Sequence, residues 1–309
     1  MTVKSANYKA NLQASTVRGP SPAIWANCPT LAIIEDPALG FYFYEDWTMA
    51  GQAVMSSAYK DSIGRWATYA DAGSIIVPNA GDGVSFGADG DNEETSLFSN
   101  AGNFRLVTTS TLALNGKLWF EASVARSSVT ATKGDFFVGL AEPLLASNIS
   151  AANLIWSATD NTLVTTKSFI GFISKGNAPT EWQFVFNLAS GTANIVTNMT
   201  TLMASSGNSV LTDGAFARLG FLFDPNADTG LVSAATARQT AGQTKRKMLR
   251  VFVNNLELPA FLSADDIQNA TAGQAFPTGW MGPTMSVMNQ TGSTPPTMGC
   301  RFIRAAQLL

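Results

Sequence analysis

Between Lys117 and Glu142 the chain reads KLWFEASVARSSVTATKGDFFVGLAE, two alternating stretches on either side of a small polar connection. Leu118, Phe120, Ala122 and Val124 alternate with Trp119, Glu121, Ser123 and Ala125, a period of two that an extended strand turns into two distinct faces. In the second stretch Phe136, Val138 and Leu140 point one way and Phe137 and Gly139 the other, as in a strand covered on both faces. A chain built around this unit is committed to β-sheet. Phe169 to Ser174, Trp182 to Phe186, Phe216 to Phe223 and Leu249 to Val253 repeat its pattern.

Around these segments the punctuation is that of short strands. Leu31 to Ile34 and Phe41 to Trp47 read as the first two, with Pro37 and Gly40 marking the turn between them. Thr48 to Ala72 loses the pattern and reads as a loop excursion. Ser74 to Val77, Val84 to Gly87 and Phe104 to Thr108 follow as strands, and Asn115-Gly116 is a tight-turn signal. Pro143 to Ala152 and Ser263 to Ile267 have the spacing and capping of short helical pieces. Asn254-Asn255 tolerates positive φ and sends Leu249 to Val253 back through Leu256 to Phe261, and Cys300 to Ala305 is the last strand. Roughly ten to fourteen short strands with polar connections predict an all-β, two-sheet antiparallel sandwich of the jelly-roll kind. Residues 1–30, broken by Gly19, Pro20, Pro22 and Pro29, read as an extended N-terminal arm, and residues 31–309 as one sandwich domain. Two readings of the arm stay open: a disordered tail, and a segment reaching for a neighbouring subunit.

Composition removes whole classes of function. There is no histidine in the chain, so neither a serine triad nor a histidine-bearing zinc site can be built. Charged residues make up 13%, about half the usual share, and the net charge of −3 offers nucleic acid no electrostatic attraction. The polar N-terminus lacks the apolar core of a signal peptide, and no stretch approaches the roughly 18 apolar residues of a membrane span. Cys28 and Cys300, near opposite ends, read as free buried thiols of a protein made in a reducing compartment.

The series LWFEASVARSS, GDFFVGLAE, KSFIGFIS, ARLGFLFDP and LRVFVNNLELPAF resembles the concanavalin A-like jelly rolls, and among them the virion structural proteins of tailed bacteriophages. The match rests on Phe120-Glu121-Ala122 followed by Phe136 to Leu140, and on Arg250 to Asn255, where Asn255 stands in place of the usual glycine of the hairpin. The resemblance implies a capsid decoration or cement protein on the capsid exterior, assembled in the host cytoplasm. Its partner would be the major capsid protein, and a homo-oligomer, dimer or trimer, would suit local symmetry axes.

Residues with chemistry to offer are few. Glycan cleavage on this kind of fold needs paired carboxylates a few ångströms apart, and Glu121 stands alone on its strand, which reads as a surface or interface glutamate. No enzyme is expected, and no cofactor. Ala88 to Glu94 reads first as a solvated acidic loop, and its Asp89, Asp91 and Glu93 are only weak candidates as hard oxygen ligands for calcium; Asp224, Asn226 and Asp228 read as a stabilised turn. Lys4, Tyr8, Lys9 and Arg18 of the arm, with the basic run Lys245, Arg246 and Lys247, are the candidate partner contacts. Trp156 and Trp280, set among small and polar residues, are candidates for stacking on sugar rings; the plainer role of such a tryptophan is to plug one end of a sandwich. The leading expectation is a non-enzymatic capsid decoration protein. The alternative is a carbohydrate-binding, lectin-like module of a head or tail fibre.

Overall fold

A computed structural model describes residues 19–47, 53–54, 62–63, 66–70, 75–79, 83–88, 90, 93–99, 102–106, 116–127, 134–143, 155–157, 162–176, 182–189, 194–196, 214–225, 227, 247–263, 276–290 and 295–309. Its strands form two antiparallel sheets. Sheet A runs β15 (Leu256–Ser263), β14 (Lys247–Val253), β13 (Ala217–Phe223), β8 (Leu118–Arg126), β17 (Thr297–Leu308), β6 (Gly83–Gly87), β5 (Ile75–Asn79) and β2 (Ala53–Val54). Sheet B runs β12 (Asn194–Val196), β11 (Gln183–Asn187), β10 (Phe169–Ser174), β9 (Gly134–Ala141), β16 (Gly282–Asn289), β7 (Glu93–Ser99), β4 (Trp66–Ala70) and β3 (Ser62–Ile63). Consecutive strands hold the same place in the two orders: β8 and β9, β16 and β17, β6 and β7, β4 and β5, β2 and β3. The chain therefore steps from sheet to sheet, and the result is a jelly-roll sandwich.

The strand β17 is long enough to serve two neighbours along one edge. Its first residues, Thr297 to Cys300, pair with β6, and Ile303 to Leu308 pair with β1 (Gly40–Glu45). A register shift between Cys300 and Phe302 separates the halves, the extra residue of a β-bulge. Opposite it Gly83 adopts φ 88° and lies so close to the Cys300 carbonyl that a Cβ would collide with backbone, so only glycine fits there.

Alternation explains the core. The inward residues of both sheets, among them Phe120, Phe221, Phe136, Val138, Phe172 and Phe184, meet in one buried cluster. Phe120 stacks on Phe221 across β8 and β13 at 5.0 Å, and Phe184 of the opposite sheet meets Phe221 edge-on at 5.7 Å, arrangements that add directional attraction to burial. The turn at Asn254 and Asn255 has φ of 48° and 69°, as two consecutive asparagines allow.

Several expectations are corrected. Leu31 to Ile34 is helical, part of α2 (Thr30–Glu35), where Ile33 is buried while Leu31 and Ile34 are exposed; four apolar residues in a row carry no period that separates strand from helix. The loop excursion after Thr48 contains β2, β3 and β4. Glu93 and Glu94, read as part of an acidic loop, begin β7. At the expected strand from Phe104, an isolated bridge joins Phe104 to Met281, and residues 107–115 lie outside the described residues. So do 144–154 and 264–275, where most of the two expected helical pieces fall. No helix among the described residues is long and apolar enough to cross a membrane.

Candidate functional site

Each sheet has an outer face, and the chain covers both itself. On sheet A the covering piece is the end of the expected arm, a strap from Ser21 to Cys28 that contains α1 (Pro22–Trp25). Ile24, Trp25 and Cys28 pack on Trp119, Leu222, Phe252 and Ala306, and Ile24 lies over Gly220, where a Cβ would strike it. Glu121, fully buried, fastens the strap: it accepts hydrogen bonds from the Ser21 amide at 3.1 Å, from the Ser21 hydroxyl and from Trp25 Nε1 at 2.8 Å. The nearest cation is Arg304, with Nε 4.0 Å away and its guanidinium stacked on Tyr44 and Phe302. The reading of Glu121 as a surface or interface residue is thus overturned. Its face was inferred correctly, but that face is buried by residues about a hundred positions earlier in the chain.

On sheet B the cover is a small clasp. Trp156 bridges Leu163, the Val164 amide donates to Ile155, and the Ser157 amide donates to Thr162. Ile155 and Trp156 pack on Tyr69, Phe98, Phe137, Phe169, Val185 and Met288, the outward residues of β4, β7, β9, β10, β11 and β16. Glu94 is to the clasp what Glu121 is to the strap. Fully buried, it accepts from the amides of Ile155 at 3.1 Å and Trp156 at 3.4 Å and from the hydroxyls of Ser96 and Ser286, both at 2.6 Å. Burial drives its pKa above the ordinary carboxylate value, and those hydrogen bonds, which favour the ionised form, counter the rise. Trp156 is 0% exposed, so it cannot stack on an external sugar. Nor does it plug an end of the sandwich: it is buried against the outer face of sheet B.

One rim of the sandwich gathers the ends of β9 and β11 and the beginnings of β10 and β16. Phe169 stands opposite Ala141 and Asn187, and Gly282 opposite Ala141, so the adjoining Glu142, Ser168 and Met281 share that rim. Trp280 lies there, 48% exposed. The other six of the seven tryptophans are all buried, which makes Trp280 the exposed aromatic platform among the described residues. The Phe104–Met281 bridge, closed by amide bonds of 3.0 and 2.8 Å, sets Arg105 opposite Trp280, and the Arg105 guanidinium rests 5.3 Å from the centre of the ring. Arg105 is itself held, with Nε donating to the Thr278 carbonyl at 2.7 Å and its amide donating to Gln307 Oε1 at 2.9 Å.

Polar groups converge behind the platform. Glu142 accepts from the Ser168 amide at 3.1 Å and lies against Gly279. Lys167 has its pKa lowered by burial, while the charges of Glu94 and Glu142 hold it up. Asn187 donates to the Lys167 carbonyl at 2.7 Å, and its buried Oδ1 has no hydrogen-bond partner among the described residues. The rim thus combines an exposed apolar plane with a part-buried cation and a part-buried carboxylate, an apolar surface with a few polar groups of the kind ligand sites use. Of these residues only Trp280 was picked out from sequence; Arg105, Glu142, Lys167 and Asn187 carry no motif and become neighbours only through strand register.

The remaining candidates fall as follows. Lys4, Tyr8, Lys9, Arg18, Lys245, Arg246, Asp89, Asp91, Asn226 and Asp228 lie outside the described residues, and Lys247 begins β14. Glu93 accepts a hydrogen bond from the Gly90 amide at 2.7 Å, and no cluster of potential metal ligands occurs among the described residues. Asp224 pairs with Lys117 at 2.7 Å. Cys28 and Cys300 are free and buried, and burial pushes each thiol up to about 12.

Known proteins resemble this chain in outline alone. No family model and no curated protein matches it. Among solved structures it is similar to the carbohydrate recognition domain of Emp47p, at 10% identity and TM-score 0.46, over 89% of this chain and 99% of that one. Peanut lectin gives 10% identity and TM-score 0.43 over 87% and 98%. The Crh5 transglycosylase in complex with NAG gives 12% and 0.44 over 87% and 85%.

Proposed function

We propose that the protein is a carbohydrate-binding module that holds a glycan at the Trp280 rim and leaves its bonds intact. The observation that carries this reading is the exposure of Trp280 in a molecule that buries every other tryptophan. An indole face left in water at 48% exposure matches the apolar C–H face of a pyranose, and polar groups at its edge match the hydroxyls. A binding role without cleavage is supported by the fate of the buried carboxylates, since Glu121 and Glu94 are committed to hydrogen bonds inside the fold. The test is a glycan array read with wild type and Trp280→Ala. Binding by wild type that falls at least about tenfold in the variant is expected, the effect of truncating a central aromatic anchor. A wild type that captures no glycan, or a variant that binds equally well, overturns the reading.

A second reading, attachment to the outside of a virus capsid, is favoured by a different surface. Leu31 and Ile34 of α2 and the nearby Leu39 stand exposed beside the strap, apolar area of the kind that interfaces cover. On this reading the protein co-sediments with empty capsids and Leu31→Asp with Ile34→Asp abolishes it. Unchanged sedimentation of the variant removes that surface from consideration.

A further inference from the structure

We infer that the apolar surface around α2 docks the N-terminal arm, residues 1–18, of a second copy of this chain, so that copies assemble by exchanging arms. This surface is separate from the Trp280 rim, and the inference does not depend on what that rim holds. Leu31, Ile34, Leu39 and Leu309 are four of the six large apolar side chains that stand exposed among the described residues. One short piece of structure gathers them. Leu31 and Ile34 lie three residues apart on α2, hence on one side of it, with Ile33 turned inward to Trp25 and Trp119. The chain then turns at Asp36, whose carbonyl accepts from the Leu39 amide at 3.0 Å, and the Leu309 amide donates to the Leu39 carbonyl at 3.1 Å. Apolar side chains exposed together in this way mark a docking site.

Charge says what docks there. Glu35 and Asp36 stand exposed in the same piece, and neither makes an ion pair among the described residues. Two such patches set face to face would bring like charges together. Residues 1–18 are the complement: they carry Lys4, Lys9 and Arg18, three of the 19 cations, and none of the 22 acidic residues, with Val3, Tyr8, Leu12 and Val17 among them. The strap decides whose arm it is. At its start Arg218 Nη1 donates to Ser21 Oγ at 3.5 Å and the Ala23 amide donates to Asn255 Oδ1 at 3.0 Å, and Arg218 stands opposite Ser123 of β8. The patch lies at the other end of β8, where the Leu308 amide donates to the Lys117 carbonyl at 3.0 Å. Followed from Cys28 back to Ser21, the chain therefore moves away from the patch, and an arm docking on its own copy would have to double back over the strap. A neighbour's arm has no such reversal to make. Reciprocal exchange between two copies fills both patches and closes the assembly.

The experiment measures the mass of the full chain by sedimentation equilibrium over a range of concentrations. Wild type is compared with an arm-reversed variant, Lys4→Glu with Lys9→Glu and Arg18→Glu, and with a patch-reversed variant, Glu35→Lys with Asp36→Asn, in which asparagine keeps an acceptor for the Ala38 amide. The expected result is a wild type of two chains and, in each variant alone, an affinity between copies at least about tenfold weaker. An equimolar mixture of the two variants is expected to recover the wild-type mass, because the acidic arm of one meets the basic patch of the other and the basic arm of the second meets the acidic patch of the first. A wild type that stays a single chain at every concentration overturns the inference, leaves the carbohydrate reading untouched and returns the surface to the capsid reading. A wild-type assembly that both variants leave unchanged also overturns it, since another surface then holds the copies together. Variants that dissociate and do not associate in the mixture overturn it as well, since the contact they broke is then not that of arm on patch.

Discussion

Glu121 shows what a single residue does in this molecule. Its carboxylate takes three hydrogen bonds from the strap, so its removal strands the Ser21 and Trp25 donors and takes away a carboxylate 4.0 Å from Arg304 Nε. Glu121→Ala is expected to cost about 3 kcal/mol, as expected when one member of a buried charged network is removed, and to make the chain around Ser21 to Cys28 sensitive to protease. Chemical denaturation and limited proteolysis check both. Glu121→Gln, which keeps an acceptor, is expected to lose less. From sequence the side of the strand on which Glu121 stands was legible, because alternation with Phe120 places it there. That this side would be buried was not, since its cover lies a hundred residues away and nothing local in either segment announces the other. Trp156 and Trp280 teach the same lesson: similar sequence neighbourhoods, one buried against the outer face of sheet B and one exposed.

At the scale of elements, the strands with a clean period of two, β8, β9, β10, β13 and β14, were read nearly to their ends. The failures have physical causes. The apolar run Leu31 to Ile34 fits either geometry, and Pro29 just ahead of α2 leads into a helix as readily as it interrupts a sheet. Glu93 and Glu94 looked like solvated acid because a charge at a strand start is rare unless something pairs with it, and the amides that pair with Glu94 belong to the clasp. The clasp makes a pH prediction. Its folded-state Glu94 pKa is raised above the ordinary value of 4.5, so the folded protein holds that proton more tightly than the unfolded chain does. The stability it contributes is complete below the ordinary value and is lost as pH rises through the raised one. The expected melting temperature therefore declines across that window, with a flatter profile in Glu94→Gln. A wild-type profile rising through the same window would contradict the buried, clasp-bound carboxylate.

For the whole molecule, the sandwich was visible in the repeated alternation, whereas the Trp280 rim was not, because it gathers residues from 105 to 282 by register alone. The pairing of equal places in the two sheets also bears on repacking. Trp280→Ala sits outside the core and is not expected to move the unfolding midpoint measurably, since surface substitutions away from caps and buried networks usually change stability by less than about half a kcal/mol. Calorimetry of this variant checks that the glycan array reports on the rim and not on collapse of the fold.

The last strand in the chain, β17, lies in the interior of sheet A, hydrogen-bonded to β8 on one side and to β6 and β1 on the other. Thr297 to Leu308 must therefore be synthesised before that layer can close. Until then β8 and β6 present bare, aromatic-rich edges that any other nascent copy could join. A chain stopped short of residue 297 should accumulate as insoluble material even though most of its residues are present, and synthesis of the intact protein should depend on how quickly those twelve residues find the gap left for them.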